Sequence, residues 1–406
     1  MYRLVQRRGI IGLFCLLFVA SSVVPGWAQK DNRFEVSKNL DIFNSLLKEV
    51  EMFYVDSVDV DKTVQRGIEA MLAGLDPYTE YYPEQKTEEL SLMTTGEYGG
   101  IGSLIRQRNN EGGVMIAEPT EGMPADLAGL KPGDLILAID TIDVSKATNS
   151  RVSELLKGVP NTKMVLTIQR PGEKKPRKFE ITRKQITTPQ VTYYGVKNDS
   201  IGYIYLKAFT IKSAQEVKEA FLDLKKNHNI KSLVLDLRGN GGGVLEGAVQ
   251  IVGMFVPKGS EVLSTKGKIK QWDRTYRTST EPLDTVMPLA ILINGGTASA
   301  AEIVSGSLQD MDRAVLVGQR SFGKGLVQAP RDLPYNGKVK ITMSKYYIPS
   351  GRCIQQIDYS HRKEDGSVAA IPDSLTSVFY TSKKRPVRDG GGVRPEFEVK
   401  EPKVPT

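Results

Sequence analysis

The sequence predicts an α/β layered core that is preceded by a β-rich domain and a helical N-terminal segment. Apolar residues recur at helical spacing up to about residue 90, and short strands with glycine turns follow up to about residue 185. Beyond that point, apolar strands alternate with amphipathic helices. The chain has 406 residues, 40% hydrophobic and 25% charged, which is typical of a globular protein of two or three domains.

The sequence predicts six divisions. They are a leader at residues 1–28, the helical segment at 29–90, the β-rich domain at 91–185, the α/β core at 186–357, an insertion or surface loop at 358–388, and a C-terminal return segment at 389–406.

The N-terminus carries the pattern of a secretory signal. Arg3, Arg7 and Arg8 precede an apolar run at residues 10–24, and Ala28 offers a small residue for cleavage. An uncleaved membrane anchor is the alternative, although the run is short for a spanning helix. We therefore expect export to the periplasm or cell envelope.

Cysteine content and charge exclude several classes of protein. Cys15 falls within the leader, so the cleaved chain would contain Cys353 alone and no internal disulfide. Export without a disulfide fits a bacterial envelope protein. The net charge of +8 is not clustered and gives no argument for a nucleic-acid partner. No histidine or acidic cluster suggests a metal, and we expect no cofactor.

The helical segment ends in a tyrosine-rich turn. Leu40, Phe43 and Leu47 recur at helical spacing, and residues 61–75 predict a second helix. The sequence LDPYTEYYP, residues 75–83, follows. We interpret it as a packing junction, with a substrate contact as the alternative.

The β-rich domain contains two glycine motifs. YGGIGSL, residues 98–104, is a glycine loop that runs into a strand, and GLKPGDLILAID, residues 129–140, is a turn followed by a buried strand. A helix at 149–157 and a strand at 164–169 come next. This order resembles a PDZ domain in the permuted form of bacterial proteases; a plain glycine-rich hairpin is the alternative.

The PDZ resemblance implies a peptide-binding groove. Such a groove adds a peptide as an extra strand and holds its C-terminal carboxylate on loop amides. The residues that correspond to this loop are Gly99, Gly100, Ile101 and Gly102.

The α/β core begins near residue 190. It contains an amphipathic helix at 213–227, a hairpin at 261–277 that carries Trp272, and further elements. The predicted strands are residues 201–209, 232–237, 289–293, 314–317 and 338–347, and the other predicted helices are 244–256 and 298–308.

Ser299 lies in the sequence TASAAE, where a predicted strand gives way to a helix. A serine hydroxyl becomes a good nucleophile only when a base takes its proton. The two histidines, His228 and His361, lie in no motif that suggests this role. The alternative for this segment is a helix start with Thr297 or Ser299 as the N-cap.

Lys324 is a candidate base because a buried lysine can lose its charge near neutral pH. Gly323 and Gly325 flank it and would let the backbone crowd close to the amine and exclude water. Gln328 follows four residues later, on the same face, and its amide oxygen could accept a proton from Lys324. Each residue alone is more often structural; the combination favours a serine–lysine dyad.

A phosphate-binding loop is rejected. Residues 318–324 fit the first seven positions of G-x-x-x-x-G-K, but Gly325 replaces the Ser or Thr that holds magnesium. The residues that follow do not form an amphipathic helix pattern.

The glycine turn in LVLDLRGNGGG, residues 233–243, presents free N–H groups before a helix. It could hold a phosphate or the oxyanion of a tetrahedral intermediate. The serine–lysine pair favours the oxyanion, with Gly241 or Gly242 and Ala300 as the donors.

Together these segments resemble the C-terminal processing peptidases, or tail-specific proteases. The resemblance covers nearly the whole chain after the leader, including DLRGNGGG, TASAAE, SFGKGLVQ, PSGR and GGVRPEFEV, with 25 residues from Ser299 to Lys324 and four from there to Gln328. It implies a core similar to the crotonase and Clp-protease folds, with an inserted PDZ domain.

The resemblance also implies the roles of residues. Ser299 would be the nucleophile, Lys324 the general base and Gln328 the residue that orients the lysine. The substrates would be proteins or peptides with apolar C-terminal tails. The PDZ domain would recognise the tail and would control access to the active site. Arg170 corresponds to a regulatory position that couples the two domains, although a solvated charge at a strand end is the alternative.

Other readings remain open from the sequence. A catalytically inert PDZ adaptor is the main alternative, and an acyl-CoA enzyme of crotonase type is disfavoured by the export signal. The sequence also leaves open a membrane tether at the N-terminus, a homo-oligomer and an adaptor protein as partners. It assigns no role to residues 358–388.

Overall fold

The computed structural model describes residues 33–108 and 112–400, so the predicted leader lies outside the described residues. The chain divides into two compact units, Met1–Ile68 and Glu69–Thr406. The first unit contains helix α1 (Arg33–Phe53) and the start of helix α2 (Val60–Ala73). Among the described helices, none combines the length and the apolar character that a bilayer-spanning helix needs.

The second unit opens with two short elements that the sequence did not predict separately. These are strand β1 (Glu80–Tyr82) and helix α3 (Thr87–Thr95). Helix α3 ends at Gly96, whose φ of 72° is the left-handed conformation that glycine adopts at a helix C-terminus. The predicted domain boundary at residue 90 therefore falls inside a helix.

The β-rich domain is an antiparallel sheet with a helix against its edge strand. Its elements are β2 (Glu97–Gly100), β3 (Ser103–Gln107), β4 (Val114–Pro119), α4 (Pro124–Leu127), β5 (Leu135–Ile139), β6 (Ile142–Asp143), α5 (Asn149–Leu156), β7 (Lys163–Gln169), β8 (Arg177–Thr182) and β9 (Lys184–Thr187). The main sheet has the order β3-β4-β5-β7-β8, with β6 beside β5, while β2 pairs with β9.

Helix α5 begins where the sequence places a threonine. The side chain of Thr148 accepts a hydrogen bond from the N–H of Arg151, which caps the helix. Val152 and Leu156, four residues apart on one face, are buried in the core of this domain. Strand β3 is left as the sheet edge beside this helix.

The α/β core holds a mostly parallel six-stranded sheet in the order β10-β11-β12-β15-β16-β21. Its strands are β10 (Val191–Lys197), β11 (Ile201–Leu206), β12 (Ser232–Asp236), β15 (Leu289–Ile293), β16 (Val315–Gly318) and β21 (Phe397–Glu398). Its helices are α6 (Ser213–Asn227), α7 (Leu245–Gly253) and α8 (Ala300–Asp310). Strands such as β15 read as continuous apolar runs because parallel sheets are covered on both faces.

Helix α8 is the most enclosed element, since all of its residues are buried. Helix α6 instead buries one face, formed by Ser213, Ala214, Val217, Ala220, Phe221 and Leu224, and its other residues are exposed or partly exposed. Both helices contribute to one hydrophobic core with the central strands. The helix that begins after Ser299 is therefore fixed on all sides.

A second sheet lies beside this core. Its strands are β13 (Glu261–Gly267), β14 (Arg274–Arg277), β17 (Leu326–Asp332) and β18 (Lys338–Tyr347), together with β1. Strand β17 pairs with one edge of β18, while β13 and β1 pair with the other edge. The predicted hairpin with Trp272 is present as β13 and β14.

The segment at 358–388 forms turns and a small hairpin of β19 (Val378–Tyr380) and β20 (Pro386–Arg388). A buried ion pair lies close to it, in which Arg352 contacts Asp310 at 2.8 Å and also donates to the carbonyl oxygen of Arg388. This pair joins the hairpin to the end of α8.

Candidate active site

The glycine turn, Ser299 and Lys324 lie on three loops that follow neighbouring parallel strands. The glycine turn follows β12, Ser299 follows β15, and Lys324 follows β16. The carboxyl ends of adjacent parallel strands meet at one edge of a sheet, where α/β proteins form their binding sites. This topology explains how residues far apart in the chain converge.

Ser299 lies on a sharp turn between β15 and α8. Its φ of 54° and ψ of −117° are unusual for a residue with a side chain. Its carbonyl oxygen accepts hydrogen bonds from the N–H of Ile303 at 2.9 Å and from the hydroxyl of Tyr346 at 3.3 Å. The wholly buried helix α8 holds this strained conformation in place.

The carboxylate of Glu302 joins the serine turn to the lysine loop. Its Oε2 accepts hydrogen bonds from the backbone N–H groups of Ser299 at 2.8 Å and Lys324 at 2.9 Å. Its Oε1 accepts from the N–H of Gly323 at 2.7 Å and the hydroxyl of Ser321 at 2.5 Å. Burial raises the pKa of Glu302, and these four donors oppose that rise by favouring the ionised form.

The glycines on either side of Lys324 are required by close backbone packing. Gly323 has a φ of 87°, and a Cβ there would lie 2.6 Å from the Cβ of Gln356. A Cβ on Gly325 would lie 2.8 Å from the backbone nitrogen of Gln355. The segment at 355–356 therefore packs closely against the backbone of the lysine loop.

The side chain of Lys324 extends toward the tyrosine-rich turn. Its Nζ lies 4.3 Å from the centroid of the Tyr78 ring. The pKa of Lys324 is lowered to about 8, mainly by burial and also by the nearby charge of Lys340. The acidic groups Glu80, Asp76 and Glu302 act in the opposite direction.

The three predicted catalytic side chains, two on converging loops and Gln328 on a strand, make no direct hydrogen bond with one another. Within residues 33–108 and 112–400, no hydrogen bond joins the Nζ of Lys324 to the hydroxyl of Ser299 or to Gln328. Gln328, on β17, instead donates its Nε2 to the Oγ1 of Thr342 at 3.1 Å. The predicted contact between Gln328 and Lys324 is thus not made in this conformation.

The glycine turn packs directly against Ser299. Gly242 has a φ of 94°, and a Cβ there would lie 2.7 Å from the Cβ of Ser299 and 2.9 Å from the nitrogen of Ala300. Glycine at this position leaves space in front of the first N–H of α8, which has no acceptor within the helix. This space is where the oxyanion of an intermediate would fit.

One of the predicted oxyanion donors is already engaged. The N–H of Gly242 donates to the Oδ1 of Asn240 at 2.9 Å, and the buried Asn240 is held by the carbonyl oxygen of Leu206. Of the alternatives raised from the sequence, Gly241 has no such contact and lies in open space. The assignment of the donors among Gly241, Gly242 and Ala300 stays a prediction.

The predicted carboxylate loop of the β-rich domain is tightly fixed. The carbonyl oxygens of Gly99, Ile101 and Gly102 accept hydrogen bonds from the N–H groups of residues 158, 125 and 120. Gly100 lies in β2, which pairs with β9. The loop ends at edge strand β3, beside helix α5, where an added peptide strand would lie.

Arg170 lies inside the β-rich domain. Its guanidinium makes two hydrogen bonds of 2.8 Å to the carboxylate of Asp134 and one of 2.9 Å to the carbonyl oxygen of Gly129. Arg170 is 15% exposed and Asp134 is 0% exposed. Arg170 therefore forms a largely buried ion pair with Asp134 and is not a solvated charge. Its role in coupling the two domains stays a prediction.

Sequence reasoning did not single out Glu302, Tyr78 or Asn240. The pattern of a serine followed three residues later by a glutamate marks a capping box and could have identified Glu302. Nothing in the local sequence indicated that Tyr78 contacts Lys324, because the two are 246 positions apart. The described residues contain no cluster of three or more His, Cys, Asp or Glu that could bind a metal.

Comparison with known proteins identifies both domains. Residues 200–360 match Peptidase family S41, and residues 115–170 match the PDZ domain. These matches confirm the family resemblance and the PDZ domain predicted from the sequence.

Two curated relatives and one solved structure illustrate the similarity. The carboxy-terminal-processing protease of Bartonella bacilliformis is 36% identical over 345 residues, 84% of this chain and 77% of that protein. A Staphylococcus aureus protein described as a "Probable CtpA-like serine protease" is 33% identical over 78% of this chain. The chain spans 62% of that staphylococcal protein. The solved photosystem II D1 C-terminal processing protease is 26% identical, with a TM-score of 0.44, over 87% of this chain and 86% of that one.

Proposed function

We propose that this protein, a serine-type peptidase that belongs to family S41, cuts other proteins near their C-termini with Ser299 as nucleophile and Lys324 as general base. Gln328 orients the lysine, and Gly241 and Ala300 hold the oxyanion. The PDZ domain binds the substrate's C-terminal tail.

One observation carries the proposal. The backbone N–H groups of Ser299 and Lys324 donate to the same oxygen atom of Glu302, over 2.8 and 2.9 Å. The backbone nitrogen atoms of the two residues are therefore no farther apart than the sum of these two distances. The lysine side chain is long and flexible, and we propose that rotation about its side-chain bonds brings its Nζ to the serine hydroxyl.

The reaction follows from these positions. The Oγ of Ser299 attacks the carbonyl carbon of the substrate and passes its proton to the free amine of Lys324. The resulting oxyanion accepts hydrogen bonds from the backbone N–H groups. The C–N bond then breaks, and the lysine ammonium gives its proton to the leaving amine. A water molecule, deprotonated by the same lysine, hydrolyses the ester and restores the serine.

The state of Lys324 supports this role. A general base works best when its pKa lies near the working pH, and burial lowers the pKa of Lys324 to about 8. Gln328 can orient the amine without adding a charge that would favour the ammonium.

The PDZ domain supports the choice of substrate. An edge strand beside a helix accepts an extended peptide, and the glycine loop at 99–102 precedes that strand. We propose that tails with apolar residues bind there and that Arg170 takes part in coupling this binding to the active site. The N-terminal signal pattern supports action in the periplasm or cell envelope.

The test compares wild type with Ser299→Ala on an unfolded protein that ends in an apolar tail. Mass spectrometry of the products locates the cuts. We expect wild type to cut near the C-terminus and Ser299→Ala to lose activity by about a million-fold, as is typical when a nucleophile is removed. Equal cleavage by both proteins would disprove the assignment.

The same experiment separates a peptidase from an inert adaptor. An adaptor would bind the tail in both proteins and would cut it in neither. Binding should therefore be measured beside cleavage, with Lys324→Ala as a second variant that removes the proposed base.

A further inference from the structure

We propose that Tyr78 is a positioning residue that shields the amine of Lys324 from water. The inference rests on the proposed function, because it assumes that Lys324 is the base. Residues 73–82, here called the tyrosine segment, would then be part of the active site rather than a packing junction.

The contact that motivates the proposal is direct. The Nζ of Lys324 lies 4.3 Å from the centroid of the half-buried Tyr78 ring. The ring covers one side of the amine, while the backbone at 355–356 packs against the glycines that flank it. An aromatic face can cover an amine without offering it a hydrogen bond that would compete with the serine.

The tyrosine segment is anchored to the strand that contacts Gln328. The buried carboxylate of Asp76 accepts hydrogen bonds from the N–H of Tyr78 at 2.8 Å and from the N–H and hydroxyl of Thr79. The Oγ1 of Thr79 accepts from the N–H of Thr342 at 3.1 Å, and Thr342 accepts from Gln328. The segment is thus linked to both residues that would act with Ser299.

A strand pairing fixes the segment further. Strand β1 pairs antiparallel with the start of β18, with Glu80 opposite Lys340. The carboxylate of Glu80 and the ammonium of Lys340 form an ion pair across this register. This pairing fixes the backbone that directly follows Tyr78 and Thr79.

The segment at 358–388, to which the sequence assigned no role, supports Tyr78 from behind. The ring of Tyr359 packs edge-on against the ring of Tyr78, with centroids 6.0 Å apart. Arg362 donates to the carbonyl oxygens of Ala73 at 3.2 Å and Leu75 at 3.1 Å. The contacts of Tyr359 and Arg362 therefore hold the tyrosine segment in place beside the lysine loop.

Two opposing effects act on Lys324, and their balance gives the sign of the test. Burial lowers the pKa of Lys324, whereas the electron-rich ring of Tyr78 favours the ammonium. The charged groups that face the amine are Lys340 on β18 and the carboxylates of Glu80, Asp76 and Glu302. Burial is the largest influence, so removal of the ring should admit water and raise the pKa.

The experiment measures kcat/KM against pH for wild type and Tyr78→Ala, with a fluorescence-quenched peptide that ends in apolar residues. The lower-pH limb of this profile reports the free enzyme's base. We expect its midpoint to move up by about one pH unit in Tyr78→Ala, because water now solvates the ammonium. The rate near pH 7 should fall roughly tenfold from this shift.

A conservative variant and a matched control make the result specific. Tyr78→Phe keeps the ring and should keep both the midpoint and the rate within about twofold. Tyr380→Ala removes a tyrosine that is 57% exposed within the 358–388 segment and should leave the profile unchanged. A midpoint that stays or moves down in folded Tyr78→Ala would overturn the proposal.

Two further measurements keep the test decisive. If Tyr78→Ala does not fold, Tyr359→Ala removes the support of the ring and should shift the midpoint in the same direction by a smaller amount. If the pH profile of Tyr359→Ala matched that of the wild type, the proposal would be overturned. Ser299→Ala is measured in parallel, since activity in that variant would refute the proposed function itself, whatever the tyrosine variants show.

Discussion

Ser299 and Lys324 donate their backbone N–H groups to one atom, the Oε2 of Glu302, over 2.8 and 2.9 Å. The nucleophile and the base are therefore positioned through their backbones by a group that belongs to neither of them. This shared acceptor fixes the backbone of the lysine relative to the backbone of the serine. Glu302 is a positioning residue in this sense.

Glu302→Gln should damage both stability and activity. The amide nitrogen of glutamine is a donor, and it would replace one of the two accepting oxygens. It would then face either the N–H groups of Ser299 and Lys324 or the hydroxyl of Ser321 and the N–H of Gly323. We expect the free energy of unfolding to fall by roughly 2–4 kcal/mol and kcat to fall at least about tenfold. Urea denaturation and peptide cleavage measure the two effects.

Glu261→Gln is the matched control for this change. Glu261 is 40% exposed and pairs with Arg277 at the surface, so its loss should cost at most about 1 kcal/mol. A Glu302→Gln protein as stable and active as this control would contradict the role given to Glu302.

The sequence predicted the elements that have long periodic patterns. Helix α6 and strands β15 and β18 have the predicted bounds, because their apolar spacing is regular over the whole element. Strands β1 and β17 were missed. Strand β1 has three residues and gains its stability from a partner more than 250 positions away, so no local pattern indicates it.

The site shows the same division between local and distant causes. Ser299 and Lys324 could be proposed from glycine context and spacing, which are local features. The contact of Lys324 with Tyr78 and the engagement of the Gly242 N–H by Asn240 depend on how loops from different strands meet. Such contacts require the assembled sheet, so they could not be read from the sequence.

Gly242→Ala should lower the rate of cleavage by about 100- to 1,000-fold. A Cβ at this position would lie 2.7 Å from the Cβ of Ser299, and the φ of 94° disfavours any side chain. The serine turn must shift to make room, and a displaced oxyanion donor costs about 100- to 1,000-fold in kcat. The measurement is kcat with the peptide substrate.

Gly295→Ala provides a comparison in the same set of loops. Gly295 has open space around the position of a Cβ and no left-handed φ, so this variant should fold and cut as wild type does. Circular dichroism of both variants distinguishes a local displacement from unfolding. Full activity in Gly242→Ala would show that the glycine turn does not border the reacting atoms.

The rate should rise with pH through the pKa of the lysine. The free amine is the base, and burial lowers the pKa of Lys324 to about 8. Below that pH the ammonium dominates, so kcat/KM should fall about tenfold for each pH unit on the acid side. Initial rates between pH 6 and 9.5 test this, with circular dichroism as a check on folding. A flat profile would contradict a lysine base.

Binding to the PDZ domain should require a free C-terminal carboxylate. In the proposed binding mode the loop amides at 99–102 hold a carboxylate, whereas a C-terminal amide carries no charge and brings its own donor. We expect the Ser299→Ala chain to bind an apolar-tailed peptide at least about tenfold more tightly than its C-terminal amide. Fluorescence polarisation of both peptides measures this difference, and equal affinities would place the tail elsewhere.

Lys324→Met should make the folded protein more stable near neutral pH while it removes activity. The pKa of Lys324 is lowered from 10.5 to about 8 on folding, so the unfolded chain binds more protons between these two values. Stability of the wild type therefore rises as the pH increases through this window, and the full penalty of the buried ammonium is present below pH 8. Methionine has a similar shape and carries no charge.

We expect Lys324→Met to raise the free energy of unfolding at pH 7 by about 1–3 kcal/mol, and the gain to shrink toward zero near pH 10.5. Urea denaturation at both pH values measures the change.

Lys266→Met is the control, since exposed Lys266 lies 4.8 Å from the ring centroid of Tyr347 and loses only that contact. It should lower stability by at most about 1 kcal/mol. A destabilised Lys324→Met protein at pH 7 would mean that the amine is well solvated or well paired in the folded state, and a lysine in that environment could not serve as the base.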